Sequence, residues 1–68
     1  MTNVKMRVGH LIREARKAKG LTQKELGAKL GVSESTFNQY ESGKQNLTIE
    51  TLERVANAIG VDIKALIN

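Results

Sequence analysis

The chain contains no cysteine, no proline and no tryptophan. Without Cys there is neither a disulfide nor a thiolate metal site to hold 68 residues together, so one small hydrophobic core must suffice, near the lower size limit for a single domain. Without Pro no helix interior loses an amide donor, and the many Ala, Leu, Lys and Glu residues then favour an all-α fold. No apolar run approaches the roughly 18 residues of a membrane span, and the opening MTNVKMRVGH has no apolar signal-peptide core. The expectation is a complete small cytoplasmic protein with no membrane partner. Catalytic equipment is equally scarce. The single His, His10, falls about 200° round the first helix from Val8 and points outward. There is no Gly-rich phosphate loop and no carboxylate pair in an apolar setting, so no catalytic residue, metal ligand, cofactor or small-molecule effector site is expected.

What is present is concentrated in residues 22–43, TQKELGAKLGVSESTFNQYESG. Leu26 and Leu30 are four apart and share one helix face, while Phe37 and Tyr40, three apart, share another. Gly31 follows Leu30 and suits the left-handed end of a helix. Thr22 with Glu25 three residues on forms a capping box, and Ser33 caps a second helix. Gly27, small and in mid-helix, allows the second helix to cross closely. Two short helices at a sharp angle make a helix-turn-helix.

The remainder extends this pattern into a single domain, 1–68. Residues 1–5 read as a flexible arm. Helix 1 is expected from about Met6 to Lys19, with Val8, Leu11, Ile12 and Ala15 on its buried face and Gly20 at its end. Helices 2 and 3 cover about Gln23–Leu30 and Glu34–Ser42, and Gly43 ends the second. Thr48 caps helix 4, whose apolar stripe is Ile49, Leu52, Val55, Ala56 and Ile59, with Arg54 outward. Gly60 stops it, and Asp62 caps a last helix, Ile63–Ile67. The net charge is +4 but unevenly spread. Residues 1–29 hold eight Lys/Arg against two Glu, a balance of +6; residues 30–68 hold three against five acidic residues, a balance of −2. A basic half fits a polyanionic partner.

From Val8 to Leu66 the chain resembles the lambda-repressor/Cro-type (Xre) helix-turn-helix family. The resemblance rests on Arg13, Arg16, Gly20, Leu21, Thr22, Gln23, Leu26, Gly31, Val32, Ser33, Tyr40, Glu41, Gly43, Lys44, Asn46, Leu52, Ala56 and Gly60-Val61. Gly27, where the family often has Ala, and Leu47, where it often has Pro, are departures. The resemblance implies a compact five-helix lambda-repressor-like domain that binds double-stranded DNA. It also implies that Arg16 and Glu41 form a partly buried ion pair fixing the angle of helix 3, and that Gln23, Lys44 and Asn46 contact the DNA backbone.

Candidate site residues follow by angle. With Phe37 and Tyr40 turned to the core, the opposite face of helix 3 centres on Ser35, Gln39 and Ser42, flanked by Asn38 and Thr36. Ser35, Thr36, Asn38 and Gln39 are the expected base readers, since Gln and Asn can bond adenine N6 and N7 and hydroxyls can serve several bases. Glu34 fits capping better than base contact. The face carries no Arg or Lys, so Arg-to-guanine contact is missing and adenine or thymine at key positions is expected, with DNA shape contributing. Phosphate contacts are expected from Thr22, Gln23 and Lys24 at the positive end of helix 2, Ser33, Lys44 and Asn46. Gln23 also has the reach to bond back to helix 3.

Val61, Ile63, Leu66 and Ile67 crowd the C-terminal end, and the resemblance implies a two-fold homodimer there, placing two helices 3 on successive major grooves. The function expected is a transcriptional regulator, a repressor on a palindromic operator. The alternatives are a restriction–modification controller acting in either direction, or an antitoxin-like protein-interaction module that also binds its operator.

Overall fold

The computed structural model describes residues 3–67. Five helices follow one another: α1 (Val4–Ala18), α2 (Gln23–Leu30), α3 (Glu34–Glu41), α4 (Ile49–Ile59) and α5 (Lys64–Ile67). Each start has a local cause. Thr22 Oγ1 accepts from the Glu25 amide at 3.0 Å, and Glu25 Oε1 accepts from the Thr22 amide at 2.8 Å, closing the capping box. Ser33 and Thr48 cap α3 and α4 in the same one-sided way, accepting from the amides of Thr36 and Thr51. α2 ends at Gly31, whose φ of 74° is the left-handed conformation that lacks a Cβ penalty only in glycine.

The first helix begins two residues before the expected Met6. Asn3 Oδ1 accepts from the Lys5 amide at 2.9 Å and from the Met6 amide at 3.4 Å, capping a helix that includes Val4 and Lys5. Of the expected arm, residues 1–2 lie outside the described residues, and 3–5 are cap and first turn.

The core is built from Val8, Ile12, Leu26, Leu30, Phe37, Leu52, Val55, Ala56, Ile59 and Leu66. α2 packs on α3 and α4, while α1 packs on both α3 and α5. The approach of α1 to α3 is made possible by Gly9. A Cβ there would meet the Glu41 carbonyl oxygen and lie 2.7 Å from that of Tyr40, so the helices could not keep this spacing with any larger residue.

Three expected apolar positions turn out differently. Ile49, assigned to the buried stripe of α4, is 66% exposed because it is the first residue of the helix and projects past the core. Leu11 is only half-buried. Leu66, expected on an interface with a second copy, is fully buried within its own chain because α5 docks on α1. Val61 and Ile63 are partly buried against the same core, leaving Ile67 as the exposed member of that group at 41%. Exposed apolar surface gathers instead around a cleft of about 320 Å³, lined by Val4, Lys5, Val8, Gln45, Asn46, Leu47, Ile49, Leu52 and Ile67. Among the described residues, no helix is long and apolar enough to cross a membrane.

Candidate nucleic-acid interface

The turn between α2 and α3 is tight because both of its ends are determined locally. Beyond Gly31 the Val32 amide donates back to the Gly27 carbonyl at 2.8 Å, and Ser33 at once caps the next helix. Gly27 is buried against this turn. A Cβ on it would lie 2.9 Å from the Val32 carbonyl oxygen, so the residue makes room for the turn's backbone rather than for α3 itself.

α3 has eight residues and spans roughly 12 Å. Its inner side carries Phe37, fully buried, Tyr40 edge-on to it with ring centroids 5.7 Å apart, and Glu41. Its outer side presents Ser35, Asn38, Gln39 and Ser42, all exposed and spaced as one helical stripe. Thr36 sits between the two sides and is half-buried, its hydroxyl accepting from Ser33 Oγ at 3.0 Å. Three of the four expected base readers are therefore open to solvent. The fourth is turned toward the cap.

Behind the stripe lies a charged clamp. Arg16 on α1 donates through Nε to Glu41 Oε2 at 2.6 Å and through Nη2 to Glu41 Oε1 at 3.2 Å, while its Nη1 reaches the Leu21 carbonyl at 2.8 Å. The two side chains are 12% and 3% exposed. Such a planar two-point contact fixes orientation as well as distance. Gln23 adds a third member, donating through Nε2 to Glu41 Oε1 at 2.9 Å. One carboxylate thus ties α1, the start of α2 and the end of α3 together.

This network decides where the expected phosphate contacts fall. Because Gln23 touches Glu41, the first turn of α2 lies beside the end of α3, from which Lys44 and Asn46 depart. Lys24, Lys44 and Asn46 are exposed. The first-turn amides of α2 carry the partial positive charge of a helix start, an arrangement suited to a phosphate oxygen. Thr22 is exposed, but its hydroxyl oxygen is already engaged by the Glu25 amide, and Ser33 is likewise engaged as a cap at the opposite end of α3. Gln23 directs its amide NH₂ inward. The Thr22 amide, with a further contribution from its hydroxyl, holds the Glu25 carboxyl below its ordinary value of 4.5.

Two contacts were not expected from the sequence. Arg54, expected to point outward, donates through Nη2 to the Leu30 carbonyl at 2.9 Å, satisfying the negative end of α2 from α4. Gln45 donates through Nε2 to Gln39 Oε1 at 2.7 Å. Neither bond has a sequence signal, since both depend on how the chain returns past another element. Gly9 did leave one: an isolated glycine inside a helical pattern marks a close approach.

Comparison with known proteins places the chain in a family. Residues 12–66 match the family model described as "Helix-turn-helix". The immunity repressor protein of Bacillus phage phi105 is 37% identical over 62 residues, which are 91% of this chain and 43% of that protein. The chain therefore spans less than half the length of this relative. Among solved structures, the clp gene regulator ClgR of C. glutamicum superposes with a TM-score of 0.92 at 26% identity, over 97% of this chain and 86% of that one. The restriction-modification controller protein C.AhdI of Aeromonas hydrophila superposes with a TM-score of 0.83 at 30% identity, over 90% and 92% of the two chains.

Proposed function

The chain belongs to the helix-turn-helix family of lambda-repressor/Cro (Xre) type, and from that premise we propose that it is a sequence-specific double-stranded DNA-binding transcriptional regulator. In this reading α3 lies in a major groove, where Ser35, Asn38 and Gln39 meet base edges and Thr36 contributes its methyl group. The first turn of α2 with Lys24, and Lys44 with Asn46 beyond α3, hold the phosphates on either side and set the register. Ser33 contributes through its backbone amide, while Thr22, whose amide and hydroxyl are both engaged with Glu25, contributes by fixing the first turn of α2. The observation that carries this proposal is the contrast across α3, a stripe of exposed uncharged polar side chains mounted on a buried clamp of Arg16, Glu41 and Gln23.

The regulator acts as a repressor, occluding promoter DNA as a homodimer on a palindromic operator. The two-fold pairing follows the family resemblance. Its surface is taken from Ile67, with the edges of Val61 and Ile63, and extends to exposed Ile49 across the cleft rather than to buried Leu66. Similarity to a restriction-modification controller over nine-tenths of both chains favours a second mode of the same binding, control of promoters in either direction.

Selection of bound duplexes from a random pool at fixed salt tests the proposal. The expected product is an inverted repeat with half-sites about one helical turn, roughly 34 Å, apart. Recovery of a single half-site would remove the homodimer. Recovery of nothing above background would remove the DNA-binding reading and direct attention to a protein partner.

A further inference from the structure

On the reading of α3 proposed above, Gln39 is the residue best placed to discriminate bases, and a glutamine side chain is ambiguous in that role. Its terminal amide has an oxygen that accepts and a nitrogen that donates, and a half-turn about the last bond exchanges them. A free Gln on an exposed helix face can therefore satisfy opposite base edges. Here a second side chain engages one end of that amide.

Beyond Ser42 the chain turns sharply at Gly43, whose φ is 75°, and runs back beside the last turn of α3. The Lys44 amide donates to the Gln39 carbonyl at 3.1 Å, and Ser42 Oγ donates to the same oxygen at 3.2 Å. This anchors the backbone of the return segment to Gln39 itself. Gln45 follows, half-buried where it lines the cleft against α1 and α4, so its stem has a packed seat that Gln39 lacks. Its Nε2 donates to Gln39 Oε1 at 2.7 Å.

We propose that Gln45 is a specificity-determining positioning residue: it holds Gln39 Oε1 toward itself and leaves Gln39 Nε2 as the free donor facing the groove. Gln39 then prefers a base that presents an acceptor, such as a purine N7 or thymine O4, over one that presents only a donor, such as cytosine N4. Gln45 achieves this without touching DNA. The pairing is asymmetric as it stands: Gln45 presents its Nε2, which can bind only the oxygen of its neighbour, and the variants at position 45 test whether that end of the amide is what orients Gln39.

That asymmetry supplies the test. Gln45→Ala frees the Gln39 amide, and Gln45→Glu offers only acceptors, which bind Gln39 Nε2 and turn Oε1 outward. Base preference at every position of the selected operator is measured for the unaltered chain, Gln39→Ala, Gln45→Ala, Gln45→Glu and the double Ala variant, with thermal melting as the check on folding. Gln39→Ala is expected to lower discrimination at one position about tenfold. Gln45→Ala is expected to lower it several-fold at that same position alone, with no further loss in the double variant, and Gln45→Glu to shift the preference toward donor-presenting bases. Ratios between duplexes remove the uniform repulsion that the added carboxylate exerts on phosphate. If Gln39→Ala alters one preference while both Gln45 variants leave it intact, Gln45 is not a positioning residue. Uniform weakening of all duplexes by Gln45→Ala also overturns the proposal, as a plain phosphate contact. Should Gln39→Ala change no preference at all, the reading of α3 fails first.

Discussion

The two sides of α3 solve different physical problems. On the inner side the buried carboxylate is committed: Glu41 accepts from Arg16 and Gln23, and both side chains of the ion pair are nearly removed from water. On the outer side Ser35 and Asn38 are exposed, and Gln39 is restrained through one hydrogen bond. Losing a group on the inner side strands a buried partner, which is expensive. Losing one on the outer side returns the surface to water at almost no cost to folding. A protein built this way can change its outer surface without changing how it folds.

The comparison breaks most visibly at Glu41. Glu41→Ala leaves a mostly buried guanidinium and the Gln23 amide without their acceptor, and should cost about 3–5 kcal/mol in urea unfolding. For a domain this small that is a large share of total stability. A loss under about 1 kcal/mol would mean that the pair behaves like an exposed one. Gly9→Ala tests the same inner side from α1. The added methyl is driven into the carbonyls of Glu41 and Tyr40, and thermal melting should register a loss of about 1–3 kcal/mol from overpacking, partly offset by a gain of about 1 kcal/mol in helix propensity. A raised melting temperature would show that the two helices have slack between them.

Gln39→Ala addresses the outer side. Binding to the preferred site should weaken by about 1–3 kcal/mol with relaxed choice at one position, while unfolding stability stays within about 0.5 kcal/mol. A comparable loss in folding would erase the distinction between the two sides. Lys44→Ala should weaken binding to all duplexes alike and lower the salt dependence by about one counterion. Retention of the full slope would remove Lys44 from the phosphate contacts.

The smallest effect concerns Glu25. Its carboxyl titrates below 4.5 in the folded chain, chiefly because the Thr22 amide donates to the ionised form. That contribution is present above the ordinary value and is lost as pH falls through the lowered one. Glu25→Gln should therefore melt slightly below the unaltered chain at neutral pH, and the gap should close on acidification. A gap that persisted in acid would point to something other than charge.

Much of this architecture was legible in advance. The helix starts at Gln23, Glu34 and Ile49 lie where Thr22, Ser33 and Thr48 predict them, because a cap acts on amides two or three residues away. The outer stripe of α3 followed from the positions of Phe37 and Tyr40, since 100° per residue is a property of the helix alone. Asn3 is an instructive exception. It is a good cap by residue type, yet the stretch before Met6 has no buried stripe to advertise a helix, and α1 began earlier than periodicity implied.

The sequence by itself, then, determined where helices start and stop and which faces are apolar, for each of these is a contest among groups a few residues apart. Tertiary structure alone decided which polar and apolar groups are used up. The Arg54–Leu30 bond joins residues 24 apart and the Gln23–Glu41 bond residues 18 apart. Whether Leu66 or Ile49 is buried, why Gly9 must be glycine, and that Gln45 meets Gln39 are settled likewise by elements meeting in space. Those outcomes depend on distances between surfaces that packing sets, to within tenths of an ångström, and no local pattern encodes such a distance.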